Sequence, residues 1–328
     1  MTMKTVVKLL TLTALAGVVF SSAQAAEYTL KIAHNGPEQH PYQDGALMFK
    51  TTLEKATSGA VEVQIFPGEQ LGSEEETSQM IKQGTISCAV ESAGGGLAPF
   101  VPEADLFNLP FVFNDIEHFY RVVDGPVGAK LATKVEKSLD AELLGWWFSG
   151  IRNVWNGKRV VKTPDDLKGL KIRVMGSPVL IDTFNTLGAQ ATPMSFGEVY
   201  TSLQQGVIDG AESDHVDLLV ENFYEVTKHV SLTGHMYLAA GLVCSNKALS
   251  KLPQDIQAKV RAAAAAATTE QRSAMANMTG EALAELKTKG LVFQKVDVSL
   301  FRDKVKAVYE RNAAKVGGMG AIEELTQQ

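Results

Sequence analysis

The feature that most restricts the fold lies late in the chain. From Pro253 to Lys289 the sequence keeps helical character, and only Gly280 interrupts it. Leu252-Pro253-Gln254-Asp255 opens the run with an early proline and an acid, chemistry that suits a helix N-terminus. Continuous over residues 253–289, the helix would be about 55 Å long at 1.5 Å per residue. That exceeds one small domain, so the run predicts a helix laid across two.

The rest of the chain supplies two α/β sets for such a helix to bridge. YTLKIAH (28–34) alternates as a strand, 45–57 carries apolar residues at helical spacing, and VEVQIFP alternates again until Pro67. SEEETSQMIKQG puts acids at a helix start and Gly84 at its stop, and ISCAVESA is a third strand. Strand, helix, strand, helix, strand is the pattern of a parallel sheet. PFVPEADLFNLPFVFND reads as buried irregular structure, and 115–139 as helix broken at Gly125-Pro126. LLGWWFSG is a strand that leads into Arg152 and a polar turn. LKIRV, helix 177–187, ATPM, helix 196–205, VIDGAES and the helical DHVDLLVENFYEV form a second set with no visible repeat of the first. LAAGLVCSN is a strand before the long helix; VFQKVDV and a helix over 299–314 follow it. The expected fold is α/β with mixed sheets flanked by helices. Domain I takes residues 26–149 plus about 237–278, and domain II takes 150–236 plus about 279–328.

Residues 1–25 read as a cleaved signal peptide. Lys4 and Lys8 precede the short apolar run LLTLTALAGVVF, and Ala23-Gln24-Ala25 supplies an A-x-A cleavage site. An exported protein is expected, with the periplasm as its compartment. Net charge is -6 and becomes more negative without those lysines, which argues against a nucleic-acid partner. Cys88 and Cys244 both lie in apolar strand-like runs. Two buried free thiols are the default reading, and a disulfide is open to them in an oxidising compartment. No Cys/His spacing suggests a metal.

The stretch from Ser149 to Asp217 carries the chemistry. Arg173 sits between Ile172 and Val174 in a short strand, so it faces away from both apolar neighbours. Arg152 arrives near another strand end, where α/β folds place ligands. A guanidinium is a fixed charge with a planar fork matched to a carboxylate. Arg173 is therefore read as the grip on a small organic acid, with an ion pair to Asp165 or Asp166 as the structural alternative. No G-x-S-x-G, H-E-x-x-H, P-loop or post-strand G-x-G-x-x-G occurs. Glu91, Glu212 and Asp214 are weighed as the source of a hydrolase pair and set aside. Neither an enzyme nor a cofactor is expected.

IAHNGPEQHP, VESA, LPFVF, the GIR of 150–152, DLKGLKIRV, TPMSFGEVYTSLQQGVIDGAES, FYEV and SNKALSKLPQDIQ occur in one order along nearly the whole chain. Together they resemble the substrate-binding proteins of tripartite ATP-independent periplasmic (TRAP) transporters. The resemblance implies a two-domain periplasmic-binding-protein fold that closes on an organic acid, with small and large membrane subunits as partners. It places the ligand carboxylate on Arg173, with Arg152 as a second arginine. It puts an aromatic at Phe196 and first-domain contacts at Asn35 and Glu91. Many relatives carry asparagine where this chain has Ser213, so the second carboxylate contact is expected from a hydroxyl; Asp214, which follows it, is a further candidate ligand contact. His34 and His40 share the first strand-to-helix loop, and Trp155 is weighed as a stacking residue. Amide and acid groups at the far end accept from hydroxyls and repel a second carboxylate. The expected ligand is a sugar acid, a uronate or aldonate, with C4-dicarboxylates and other monocarboxylates as alternatives. A periplasmic ligand sensor is the alternative role. The protein is read as a monomer.

Overall fold

The computed structural model describes residues 26–328; the signal-peptide reading of 1–25 lies outside them. The first wing of the sheet is built from β1 (Tyr28–Ala33), β2 (Val61–Phe66) and β3 (Cys88–Ser92), mutually parallel about β1. Helices α1 (Pro41–Ala56) and α2 (Glu74–Gln83) make the crossovers. Local chemistry fixes their ends. Ser73 and Glu76 form a reciprocal capping box at the start of α2, and Gly84 stops it at φ 77°. The irregular stretch expected after β3 is a π-turn (Ala93–Leu97) and a 3-10 segment (Pro102–Asn108) that is buried from Ala104 onward. Helices α3 (Ile116–Val123) and α4 (Pro126–Leu139) flank the expected break at Gly125-Pro126.

Then comes β4 (Ala141–Asn156), a strand of 16 residues. It continues through Arg152 to Asn156, where the strand was expected to end before Arg152. The second wing follows. A 3-10 turn (Pro164–Leu167) precedes β5 (Lys171–Val174), α5 (Pro178–Leu187) and β6 (Gln190–Pro193). After it come α6 (Val199–Gln204), β7 (Gly210–Ser213) and α7 (His215–Val220). Helix α7 is shorter than expected because Asn222 turns left-handed at φ 57°. Strand β8 (His229–Ser245) is also longer than LAAGLVCSN suggested. A short α8 (Asn246–Leu249) leads to α9 (Gln254–Thr288), which is continuous over 35 residues. β9 (Val292–Lys295), α10 (Val298–Lys304), α11 (Lys306–Asn312) and α12 (Met319–Gln327) close the chain. The final helix expected over 299–314 is thus two helices, and α12 was not anticipated.

The strands form one mixed sheet in the order β2-β1-β3-β8-β4-β7-β5-β6, with β9 on β8. The long antiparallel pair β4/β8 belongs to both wings. β3 joins the Ala240–Cys244 end of β8, whereas β7 joins the Asn153–Asn156 end of β4. Between these ends the β4/β8 register shifts at Phe148/Ile151 and again at Arg152/Val154. Gly150 sits in the shift at φ 87°, a conformation that costs glycine least.

Helix α9 supports this irregularity. Its Gln271 accepts from Phe148 N at 3.1 Å and donates to Phe148 O at 2.7 Å, which satisfies a backbone unit at the shift. At one end its alanines, Ala263, Ala264 and Ala267, are buried with Phe49 and Leu53 of α1. At the other end Leu286 packs with Trp155, Leu218 and Phe223. Small side chains let α1, α9 and β4 approach closely: a Cβ on Gly45 would stand 2.7 Å from the Trp147 ring. The long helix therefore contacts both wings, as its length required. Cys88 and Cys244 are directly opposed in β3 and β8 and form a disulfide, which corrects the free-thiol reading. Among the described residues, no helix is long and apolar enough to cross a membrane.

Candidate functional site

Two contiguous chambers lie between the wings. The outer one, about 210 Å³, is lined by Glu69, Glu74, Arg173, Met175, Met194 and Phe196, among others. The inner one, about 20 Å³, shares Glu74, Arg173, Met175 and Phe196 with it. Asn35, Tyr42, Ser92, Ser149, Arg152, Asp217 and Leu238 complete the inner wall. Asn35 and Ser92 stand at the C-terminal ends of β1 and β3, and Arg173 near that of β5. Ser149 and Arg152 come from the irregular part of β4.

Arg173 is only 3% exposed. Its Nε and Nη2 both donate to one backbone acceptor, Met194 O, at 3.0 and 2.8 Å. Its guanidinium carbon lies 5.7 Å from the Phe196 ring centroid. Among the described residues no carboxylate forms an ion pair with it; Asp166 instead caps the 3-10 turn that starts at Thr163. Burial pulls Arg173 down to about 10, against the pull of Glu212 and Glu74. It is a buried cation facing a chamber without a contacting counter-ion.

Arg152 is the opposite case. Its Nε lies 2.5 Å from Glu212 Oε2, and Nη2 donates to the Glu212 backbone carbonyl. Burial pushes the Glu212 carboxyl up, but the Arg152 charge outweighs it and holds the group near 2. Arg152 lines the inner chamber with its charge already balanced.

Of the other expected residues, Asn35 and Phe196 face the chambers and five do not. Glu91 is wholly buried, accepts from Thr77 Oγ1 at 2.7 Å, and is pushed well up by burial. Strand alternation turns the next residue, Ser92, to the chamber instead. His34 contacts Gln43 at 2.9 Å behind the wall. Trp155 stacks on Phe223 and donates to Ser213 Oγ at 3.1 Å, so both Trp155 and Ser213 are structural core. Asp214 caps α7 through Val216 N at 2.7 Å.

The sequence reading missed the first-wing acid that does face the site. Glu74, first residue of α2, accepts from Ser92 N at 2.7 Å and from Ser92 Oγ at 2.9 Å. Burial raises it to about 7 despite those bonds. An acid at a helix start passes for dipole chemistry, and only its contact with the β3 end reveals the second role. Across the mouth, Glu69 Oε2 accepts from Gly197 N at 3.0 Å and ties the wings together.

The arrangement can bind one carboxylate at Arg173 and several hydroxyls at Glu74, Ser92, Ser149, Tyr42 and Asn35. Residues 32–315 match the DctP family of bacterial extracellular solute-binding proteins, family 7. The chain is 38% identical over 308 residues to a solute-binding protein of Verminephrobacter eiseniae, covering 92% of this chain and 89% of that one. A TRAP periplasmic solute-binding protein from Polaromonas sp. JS666, solved with D-erythronate, is 35% identical, with a TM-score of 0.87 over 91% of this chain and 98% of that one. Another, from Sulfurospirillum deleyianum, solved with succinate, is 32% identical, with a TM-score of 0.88 over 92% and 98%.

Proposed function

This chain belongs to the DctP family of TRAP periplasmic solute-binding proteins, a non-enzymatic family whose solved relatives hold small organic acids, and from that premise we propose that it captures a sugar acid. The observation that carries this is Arg173, a buried cation whose only hydrogen-bond acceptor among the described residues is a backbone carbonyl. A ligand carboxylate supplies the missing charge. At an effective dielectric near 20, such a close pair has about 4 kcal/mol of attraction before desolvation costs. Beyond Arg173 the wall offers hydroxyls, an amide and the Glu74 carboxyl rather than a second free cation. This favours hydroxyl donors and disfavours a second carboxylate.

The two wings act as lobes, divided near Gly150 in β4 and near Leu238 in β8. They close about that irregular pair, and the protein delivers its ligand from the periplasm, as a monomer, to the small and large membrane subunits of a TRAP transporter. A C4-dicarboxylate is the second reading. It rests on Arg152 lining the inner chamber and on the relative solved with succinate.

A thermal-shift panel separates the two, because a ligand that binds only the folded state raises the melting temperature. D-Gluconate, D-erythronate and D-glucuronate should raise it and succinate should not. Stabilisation by succinate or malate alone overturns the sugar-acid reading.

A further inference from the structure

Asp217, in α7, is the second-lobe acid that faces the inner chamber. Its carboxylate stands between two donors, with Arg152 Nη1 3.7 Å from Oδ2 and His40 Nε2 3.4 Å from Oδ1. His40 comes from the other lobe. It precedes Pro41 as the N-cap of α1, and its Nδ1 accepts from Tyr42 N at 3.1 Å. A ring nitrogen that accepts a backbone N–H carries no proton, so the Nε2 of the neutral ring holds it. Nε2 lies 3.4 Å from Asp217 Oδ1. Burial keeps His40 neutral by pulling it down to about 4.

Both contacts to Asp217 are longer than ordinary hydrogen bonds. They orient the carboxyl without saturating it, and its side chain keeps 7% exposure. Asp214 contributes from beneath. By capping Val216 N and Asp217 N it fixes the helix start that carries Asp217. The chamber Asp217 faces is the one that holds Arg173.

We propose that Asp217 accepts the ligand hydroxyl adjoining the carboxylate held by Arg173, and that His40 is its positioning residue, brought into place only when the lobes close. This rests on the sugar-acid reading above and narrows it. An aldonate has a free hydroxyl on the carbon beside its carboxylate. A pyranose uronate has the ring oxygen there, and a 2-oxo acid a carbonyl. Both present lone pairs to a carboxylate that has lone pairs of its own. The site is therefore one for aldonates and other 2-hydroxy sugar acids.

Calorimetry on the full mature protein tests this with D-gluconate, D-erythronate, D-glucuronate and 2-deoxy-D-gluconate. Wild type should bind an aldonate at least tenfold more tightly than the 2-deoxy acid or the uronate. Asp217→Asn should lose about 10- to 100-fold for the aldonate and almost nothing for the 2-deoxy acid. His40→Asn keeps an acceptor for the Tyr42 amide and should show a smaller loss with the same selectivity. Equal losses for gluconate and its 2-deoxy analogue, or a wild-type preference for glucuronate, overturn this inference and leave the sugar-acid reading standing. Binding of succinate with no sugar acid bound overturns both.

Discussion

Arg152 and Glu212 form an ion pair with Nε and Oε2 at 2.5 Å, and both side chains are almost fully withdrawn from solvent. Arg173, in the same chamber, has no such partner among the described residues. Similar residues therefore sit in opposite electrostatic settings, one balanced by a carboxylate of the fold and the other donating to a backbone carbonyl.

Removing each should separate stability from binding. Arg152→Met leaves a buried glutamate uncompensated and should destabilise the ligand-free protein by about 3–5 kcal/mol. Arg173→Met removes a buried charge without breaking an ion pair, so the ligand-free melting temperature should hold or rise. Sugar-acid affinity should fall by the equivalent of about 2–5 kcal/mol. Denaturation and calorimetry on the two variants check this. A destabilised Arg173→Met protein with normal affinity would contradict the division.

The buried acids predict an unusual pH profile. Burial raises Glu74 to about 7, and burial with Asp217 nearby raises Asp214 to about 7 and Glu221 to about 8. These groups hold protons in the fold that the unfolded chain releases at lower pH. Their stabilisation is fully present below the ordinary carboxylate range and is lost as pH rises through about 7 to 8. Glu212, held near 2 by Arg152 against its burial, acts oppositely: its contribution is present above the ordinary range and lost as pH falls towards 2. The ligand-free melting temperature should peak at about pH 5 and decline towards pH 8. Scanning calorimetry from acid to mild base reads this, and a steady rise between those values would count against the assignment.

Glu74 should set the sign of discrimination at the far wall. Above about pH 7, where Glu74 is ionised, Glu74→Gln keeps an acceptor for the Ser92 backbone N–H and deletes the charge. One charge at this range is worth about 1–2 kcal/mol at an effective dielectric near 20. The ratio of the succinate Kd to the gluconate Kd should therefore fall by about tenfold. An unchanged ratio would mean that Glu74 does not face the second end of the ligand.

How much of this could be read in the sequence follows from the range of each interaction. The place of Arg173 in the chamber wall was legible because a charged residue inside a strand needs a reason, and strand alternation gives its direction. The long helix was legible because its length alone forces two partners. Glu91 was misplaced because the residue that faces the chamber, Ser92, differs from it only by strand parity. Glu74 and Asp217 were hidden because acids near helix starts are ordinary, and their second role needs a partner 18 residues away for Glu74 and in the other lobe for Asp217. The extension of β8 was concealed by Ser231, Thr233 and His235. All three are buried in the structure, on strand positions that read as polar surface.

The disulfide was also beyond the sequence, because pairing depends on the register of β3 against β8. Cys88 and Cys244 are 156 residues apart, so the bond closes a loop that holds β4 to β7. In the loop-entropy account a closure of this size stabilises by about 5 kcal/mol, and measured effects usually come to about 2–4 kcal/mol. The bond lies at the start of β3, and the chamber is reached four residues later at Ser92. Stability and binding should therefore separate. Reduction, or the Cys88→Ala/Cys244→Ala pair, should lower the melting temperature by several degrees and change sugar-acid affinity by less than about twofold. Thermal shift with and without reductant, alongside calorimetry on the double variant, checks both halves. An equal melting temperature in both redox states would show that the bond does not constrain the unfolded chain, and a large loss of affinity would show that the β3–β8 staple also holds the hinge strands in register.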